Sequence, residues 1–327
     1  MRARLLAAAA GLSLFALRSA AAQSCPAGTP TQQTAAEDAQ QQANDVFQYM
    51  APQLGLALAG GSPTLGQAGS LGGLGHFSIG LRGNALAGTL PQVDQFQQCY
   101  TGKVSRTLPT ADRVLGLPGV DAAIGVFRGL PLGLTNVGGV DLLFSASYLP
   151  EVQSSNVNVT APSGALKIGY GARVGLLQES LLVPGVSVSV LHRDLPTVNV
   201  VGQSGGNSLE VNNLSVKTTA WRIVASKSLL LFGLSAGMGR DSYDQSANVT
   251  ATVNAAPFGS ATSSINPSQS LSRTNMFAGA SLNMLMLKVT GEIGRVSGGT
   301  VNTYNTFEAG RPDRSQTYFS LGFRFGF

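Results

Sequence analysis

A chain of 327 residues can hold one large domain or two ordinary ones. Only 11% of it is charged, against about 25% in an ordinary soluble protein, while glycine reaches 41 residues and mean hydropathy is +0.16. Such a chain is too apolar and too sparsely charged for a soluble globular surface, and no block of Lys or Arg points to nucleic acid.

Residues 1–22 read as a targeting segment that is cleaved near Ala22. Arg2 and Arg4 make a basic start, Leu5 to Leu17 an apolar stretch, and Ala20-Ala21-Ala22 a small-residue site before Gln23. Without Arg2, Arg4 and Arg18 the formal charge falls from +5 to +2, so the apparent basicity largely disappears. Cys25 lacks the upstream leucine that a lipidated start requires. Export to an oxidising compartment makes Cys25 and Cys99 a candidate disulfide across a long loop.

Residues 23–75 form a leader. Thr34 followed by Glu37 suggests a capping box for a helix over about 34–51, stopped by Pro52, with Ala36, Ala39, Ala43, Phe47 and Met50 on one side. A glycine-rich stretch follows. Two readings stand open: a periplasmic extension, or a plug inside a lumen. A Cys25–Cys99 bridge bears on the choice, because Cys99 falls in the first long loop of a ten-strand barrel.

From residue 76 onward the dominant signal is a period of two. Phe77, Ile79, Leu81 and Ala85 oppose His76, Ser78, Gly80, Arg82 and Asn84; Leu166, Ile168, Tyr170, Val174 and Leu176 oppose Lys167, Gly169, Gly171, Arg173 and Gly175. Similar zigzags occur at Val140 to Tyr148, Leu230 to Met238 and Leu285 to Ile293. The chain closes on Phe319, Leu321, Phe323, Phe325 and Phe327, with Ser320, Gly322, Arg324 and Gly326 opposite. Successive side chains of a strand point to opposite faces, so each segment is a strand with one apolar face. The opposite faces hold mainly glycine and serine, which suit the crowded, curved inside of a closed sheet better than a solvated one.

The predicted spans are 76–87, 119–130, 139–149, 163–176, 180–192, 213–226, 229–241, 271–283, 285–296 and 315–327. That makes ten strands, or twelve if 88–118 or 243–270 hides another pair. Breaks near 176–180, 226–228 and 283–284 are short; those at 88–118, 150–162, 194–212, 241–271 and 297–314 are long and polar. Short turns at one rim and long loops at the other are the asymmetry of an outer-membrane barrel. The fold class expected is therefore an all-β, transmembrane, antiparallel up-and-down β-barrel over residues 76–327.

In this register Arg82, Asp121, Asp141, Lys167, Arg173, Lys288, Glu292 and Arg324 face the lumen. If the lumen is open they bias it weakly toward anions; if closed, they are structural ion pairs. No enzyme, cofactor or metal site is expected, since two distant histidines and two distant cysteines lack ligand spacing. His192-Arg193-Asp194-Leu195 matches a kinase string without its companion motifs. A rim hydrolase using His192 and Asp194 is the weaker enzymatic alternative, and it would need a nucleophile within hydrogen-bond reach. His76 reads as a rim residue.

The signal, the alternating spans and the ending Phe323-Arg324-Phe325-Gly326-Phe327 resemble Gram-negative outer-membrane β-barrel proteins. That resemblance implies residence in the outer membrane among its lipids. It also implies that a terminal strand bearing Phe319, Phe323, Phe325 and Phe327 is read by the barrel assembly machinery. With a plug, the chain would resemble the hydrophobic-compound transporters typified by long-chain fatty-acid channels. The functional expectation is a passive channel or transporter for small-molecule solutes, of the porin kind. The alternative is a structural or surface-interaction barrel whose outer loops bind a partner.

Overall fold

The computed structural model describes residues 25–149, 151–153, 157–204, 207–254 and 259–326. The targeting segment expected at 1–22 and Phe327 lie outside the described residues. Among the described residues, one α-helix, α1 (Gln32–Ala59), precedes the strands. The first strands are β1 (Phe77–Pro91), β2 (Thr107–Leu108), β3 (Thr110–Phe127), β4 (Leu130–Leu132), β5 (Thr135–Val137) and β6 (Gly139–Tyr148). Next come β7 (Val152–Gln153), β8 (Val157–Thr160), β9 (Leu166–Leu177), β10 (Gly185–Asp194), β11 (Val198–Ser204) and β12 (Asn207–Leu229). The last are β13 (Phe232–Asn254), β14 (Ser260–Ile265), β15 (Ser268–Met284), β16 (Leu287–Ser297), β17 (Thr306–Phe307) and β18 (Gln316–Gly326).

The large sheet is antiparallel and closes on itself. From β1 the pairing runs through β3, β6, β9, β10, β12, β13, β15, β16 and β18, and β18 pairs back onto β1 with Ser78 opposite Gly326 and Leu86 opposite Tyr318. Closure removes the unpaired edges that a sheet in an apolar medium could not satisfy. The expectation of ten strands, or twelve, is corrected, because among the described residues the sheet contains 14, ten of them in the closed ring. Strands β7, β8, β11 and β14 extend it within stretches that the sequence suggested were loops. These segments are short, and in them valine or alanine alternates with Asn, Ser and Thr rather than with the glycine and large apolar residues of the spans. β12 and β13 likewise run well past the predicted 213–226 and 229–241, and β3 begins at Thr110 rather than 119.

Two of the hairpin turns sit a few residues later than expected, at Leu230–Leu231 and Leu285–Met286, and the connection between β9 and β10 spans 178–184. Turn positions were placed where apolar alternation faltered, but leucine continues through the turns themselves.

The helix also differs from expectation. It starts one turn earlier, capped by Thr31, whose hydroxyl accepts from the Thr34 N–H at 3.1 Å while the Thr34 hydroxyl accepts from the Thr31 N–H. Glu37 instead accepts from the Gln33 amide. It passes Pro52 without stopping. Proline deprives the carbonyl one turn earlier of its N–H partner, and here Gln269 of β15 donates to that Gln48 carbonyl at 3.2 Å.

α1 runs inside the ring. Ala39, Ala43, Phe47 and Ala51 pack on Ala247, Val249, Ala251 and Val253 of β13, and Leu56 on Leu86, Phe277, Val296 and Tyr318. The apolar side chains on the outer face of the wall are bare: Leu81 is 63% exposed, Ile168 66%, Leu234 62% and Phe319 52%. An encircling belt of this kind is far larger than the apolar patches that soluble monomers tolerate.

Candidate functional site

The alternation that sends leucine outward sends arginine and aspartate inward, and the charged groups meet around the C-terminal end of α1. A helix end exposes unpaired carbonyls and carries partial negative charge. Arg82 of β1 donates to the Gly60 carbonyl at 2.9 Å. Arg193 of β10 reaches the carbonyls of Leu58, Ala59, Gly60 and Gly61, and Arg222 of β12 donates to Ala59 at 2.6 Å. Asn84 adds a bond to the Ala57 carbonyl at 2.7 Å.

Carboxylates on neighbouring strands balance these cations. Asp121 of β3 accepts from Arg82 Nε at 2.7 Å and lies 3.9 Å from Arg193; Asp241 of β13 lies 3.8 Å from Arg222. Asp241 also accepts from Asn275, the Asn275 side-chain carbonyl accepts from the Tyr318 hydroxyl, and that hydroxyl lies 3.1 Å from Glu292. The result is a buried polar belt that follows the inner wall around the helix end.

Residues 60–75 continue from the helix as an irregular strap toward the rim of short turns, and cations hold it too. Arg173 of β9, paired with Asp141 at 2.7 Å, donates to the Gln67 carbonyl, and Lys288 of β16 donates to Gly66 at 2.7 Å. Asp141 also accepts from the Leu71 N–H. Gly61 has φ +67°, and a side chain there would run into Arg82. The strap therefore bends where only glycine fits beneath the clasp.

Lys288 and Arg324 lie directly opposite each other on β16 and β18, and Arg324 Nη1 is buried with no hydrogen-bond partner among the described residues. Lys167 stands apart from the belt near the loop-side end of β9. Phe319, Phe323 and Phe325 point outward and are exposed.

The other end of α1 is tied to the loops. Cys25 and Cys99 form a disulfide. Asp38 binds Arg106 at 2.7 Å and the Cys99 N–H at 2.9 Å. Asp45 accepts from the Tyr304 and Asn305 N–H groups and from the Asn305 amide. Burial pushes the Asp45 carboxyl above the usual carboxylate range. Tyr49 stacks on Phe307 with ring centroids 4.0 Å apart.

His192 bridges Thr219 (2.9 Å) and Asp194 (3.1 Å) on the outer face, beside Tyr170. These residues lie in paired strands, where backbone N–H groups are used in the ladder, so an oxyanion would find few free donors. His76 is exposed at the turn-side rim. Among the described residues no three His, Cys, Asp or Glu side chains gather as a metal group.

Arg193, Arg222, Asp241, Asn275 and Tyr318 escaped the sequence reading. Parity alone could have placed Arg222, two residues from Ala220 and Val224 on the same inward face. Arg193 fell just beyond the predicted end of its strand.

No protein-family model matches the chain, and neither does any curated protein. Solved structures to which it is similar include the TodX ΔS2S3 mutant monoaromatic hydrocarbon channel, at 11% identity over 81% of this chain and 70% of that one, with a TM-score of 0.32. They also include the CymD monoaromatic hydrocarbon channel, at 12% identity over 91% and 97%, TM-score 0.23. A third is Ail, the attachment invasion locus protein of Yersinia pestis, at 8% identity over 77% and 97%, TM-score 0.22. At these values no inference is drawn from the likeness, and the fold rests on the strand pairing above.

Proposed function

We propose that the chain is a bacterial outer-membrane barrel acting as a passive channel or transporter for small molecules, closed at rest by its own N-terminal segment. The observation that carries this reading is the clasp: arginine and lysine side chains bond the strap and the last carbonyls of α1, beside an apolar packing that holds Leu56, Leu58 and Ala59 of the helix itself. Each such polar contact contributes only modestly in net terms once water or solute can replace a partner. α1 has a disulfide and an apolar core on its loop-side half and buried apolar contacts at its lower end, whereas the strap relies more on the polar ties. The element that moves in this reading is therefore the strap, with α1 remaining anchored above it. Lipid surrounds the exposed belt, and the barrel assembly machinery inserts the chain. In this reading the chain is not an enzyme, and His192 is an interfacial side chain.

Planar-bilayer conductance tests the proposal. Wild type is expected to pass little current, and an Arg193→Gln/Arg222→Gln variant a larger one, because the helix end loses two of its three arginine ties. If the folded variant neither conducts nor admits solutes to liposomes, the channel reading is lost. A second reading, a barrel that binds a surface partner, draws on one feature. β12, β13 and β14 rise beyond the belt with an exposed hydroxyl ladder, Thr250 to Ser264 at 2.9 Å and Thr252 to Thr262 at 3.1 Å.

A further inference from the structure

Hairpin tips in water are built from Gly, Asn, Asp, Ser and Pro, which supply the required backbone angles and are well solvated. The tips at the short-turn rim of this barrel are leucines. Leu134, Leu181, Leu230 and Leu285 come from different hairpins and are 69%, 92%, 98% and 108% exposed. Leu230 and Leu285 also adopt left-handed backbone angles, φ 53° and 47°. A branched apolar residue meets steric resistance in that region, where Asn or Gly would sit without cost.

Nothing within the fold gains from these choices. Burying a leucine is favourable relative to leaving it in water, so four independent bare tips point to an apolar environment outside the protein. The surface is continuous with the belt: Leu230 adjoins Phe232, 66% exposed, and Leu285 adjoins Leu287 on the outer wall. Polar groups at this rim include the exposed His76 and Arg128, while Glu179 in the Leu181 connection turns back to Ser226 and Ser228. The Lys227 ammonium, which could have broken the surface, donates instead to the Leu181 carbonyl at 2.8 Å.

We propose that the turn-side rim is a lipid-contact surface, its leucine tips seated in the acyl layer of the adjoining leaflet. The rim then does not project into water, and the turn-side mouth opens at the level of the lipid. A protein cap over the tips is the competing occupant; the unbroken run of apolar surface from belt to tip favours lipid. The proposal rests on the membrane reading above.

The experiment uses the full chain in phosphatidylcholine liposomes. Trp221 is the single tryptophan, so Trp221→Phe gives a silent background. Into it go Leu230→Trp and, at an unstrained tip, Leu181→Trp. Met238→Trp serves as the mid-belt reference and Asn248→Trp as the loop-side reference. Lipids brominated on their acyl chains are expected to quench both tips and the mid-belt site, while acrylamide quenches chiefly position 248. Acrylamide quenching of both tips to the extent seen at 248, with position 238 still quenched by lipid, overturns the proposal and spares the membrane reading. If position 238 also escapes the brominated lipid, the membrane reading itself fails.

Discussion

A single nitrogen of Arg193 lies 3.1–3.5 Å from the carbonyls of residues 58–61, and the other end of its fork faces Asp121. Removing Arg193 leaves Asp121 with Arg82 but takes the donor from the buried Leu58 and Gly61 carbonyls, and each buried polar group left unsatisfied costs about 1–3 kcal/mol. Arg193→Met is therefore expected to lower markedly the temperature at which the folded band gives way in a heat-shift gel; an unchanged transition would remove Arg193 from the clasp. Asp45 gives a different signature. Its raised value means that the folded state favours the protonated carboxyl, whose ordinary value is 3.8. The stabilisation is fully present below that ordinary value and lost as pH rises through the raised one. Exchange protection of the Tyr304 and Asn305 amides, corrected for intrinsic rates, should be greater at pH 4 than at pH 7, and Asp45→Asn should flatten the difference. At this scale the sequence revealed direction but not company. Parity alone turned Arg82, Asp121 and Glu292 inward, yet their partners come from α1 and from strands far off in the chain, which no local period encodes.

At the scale of elements, α1 is held differently at its two ends. Above, the disulfide closes a loop between residues 74 apart in sequence, and cross-links of that span typically contribute about 2–4 kcal/mol. In Cys25→Ser/Cys99→Ser, limited proteolysis should cut near residues 25–45 while the barrel keeps its folded gel mobility. Resistance equal to wild type would show that Asp38, Asp45 and the packing of Phe47 suffice. Lower down, Gly55 lies under the Tyr243 ring, where an added side-chain carbon would come within 2.6 Å. Gly55→Val is expected to displace α1 and raise bilayer current, and a variant as silent as wild type would count against any gating role. The helix was visible as an alanine-rich run with a threonine near its start. Its true end was not, because Pro52 normally terminates a helix and the donor that replaces the lost bond comes from β15. Strands in the belt were legible from leucine and phenylalanine alternation. Those above it were not: in β13 the inward Val249, Ala251 and Val253 alternate with Asn248, Thr250 and Thr252, and with no large apolar residues facing outward the stretch resembles a polar loop.

For the molecule as a whole, the arrangement is a soluble protein turned inside out in charge and apolarity, although its core around α1 still packs apolar groups. Arg82 and Leu81 are neighbours on β1, one buried in the polar belt and the other 63% exposed on the wall. If water bathed that wall, replacing Leu81 with lysine would be harmless or helpful, as surface substitutions usually fall within about 0.5 kcal/mol. If hydrocarbon does, a lysine near the middle of the belt costs about 2–4 kcal/mol. The two media thus predict different outcomes for one substitution. Asn248→Lys, on the exposed face of β13 above the belt, controls for charge itself, since both media leave that site in water. Urea unfolding in liposomes should therefore show a large loss for Leu81→Lys and almost none for Asn248→Lys. Equal, small effects would mean that protein or water, rather than lipid, covers the leucines of this wall.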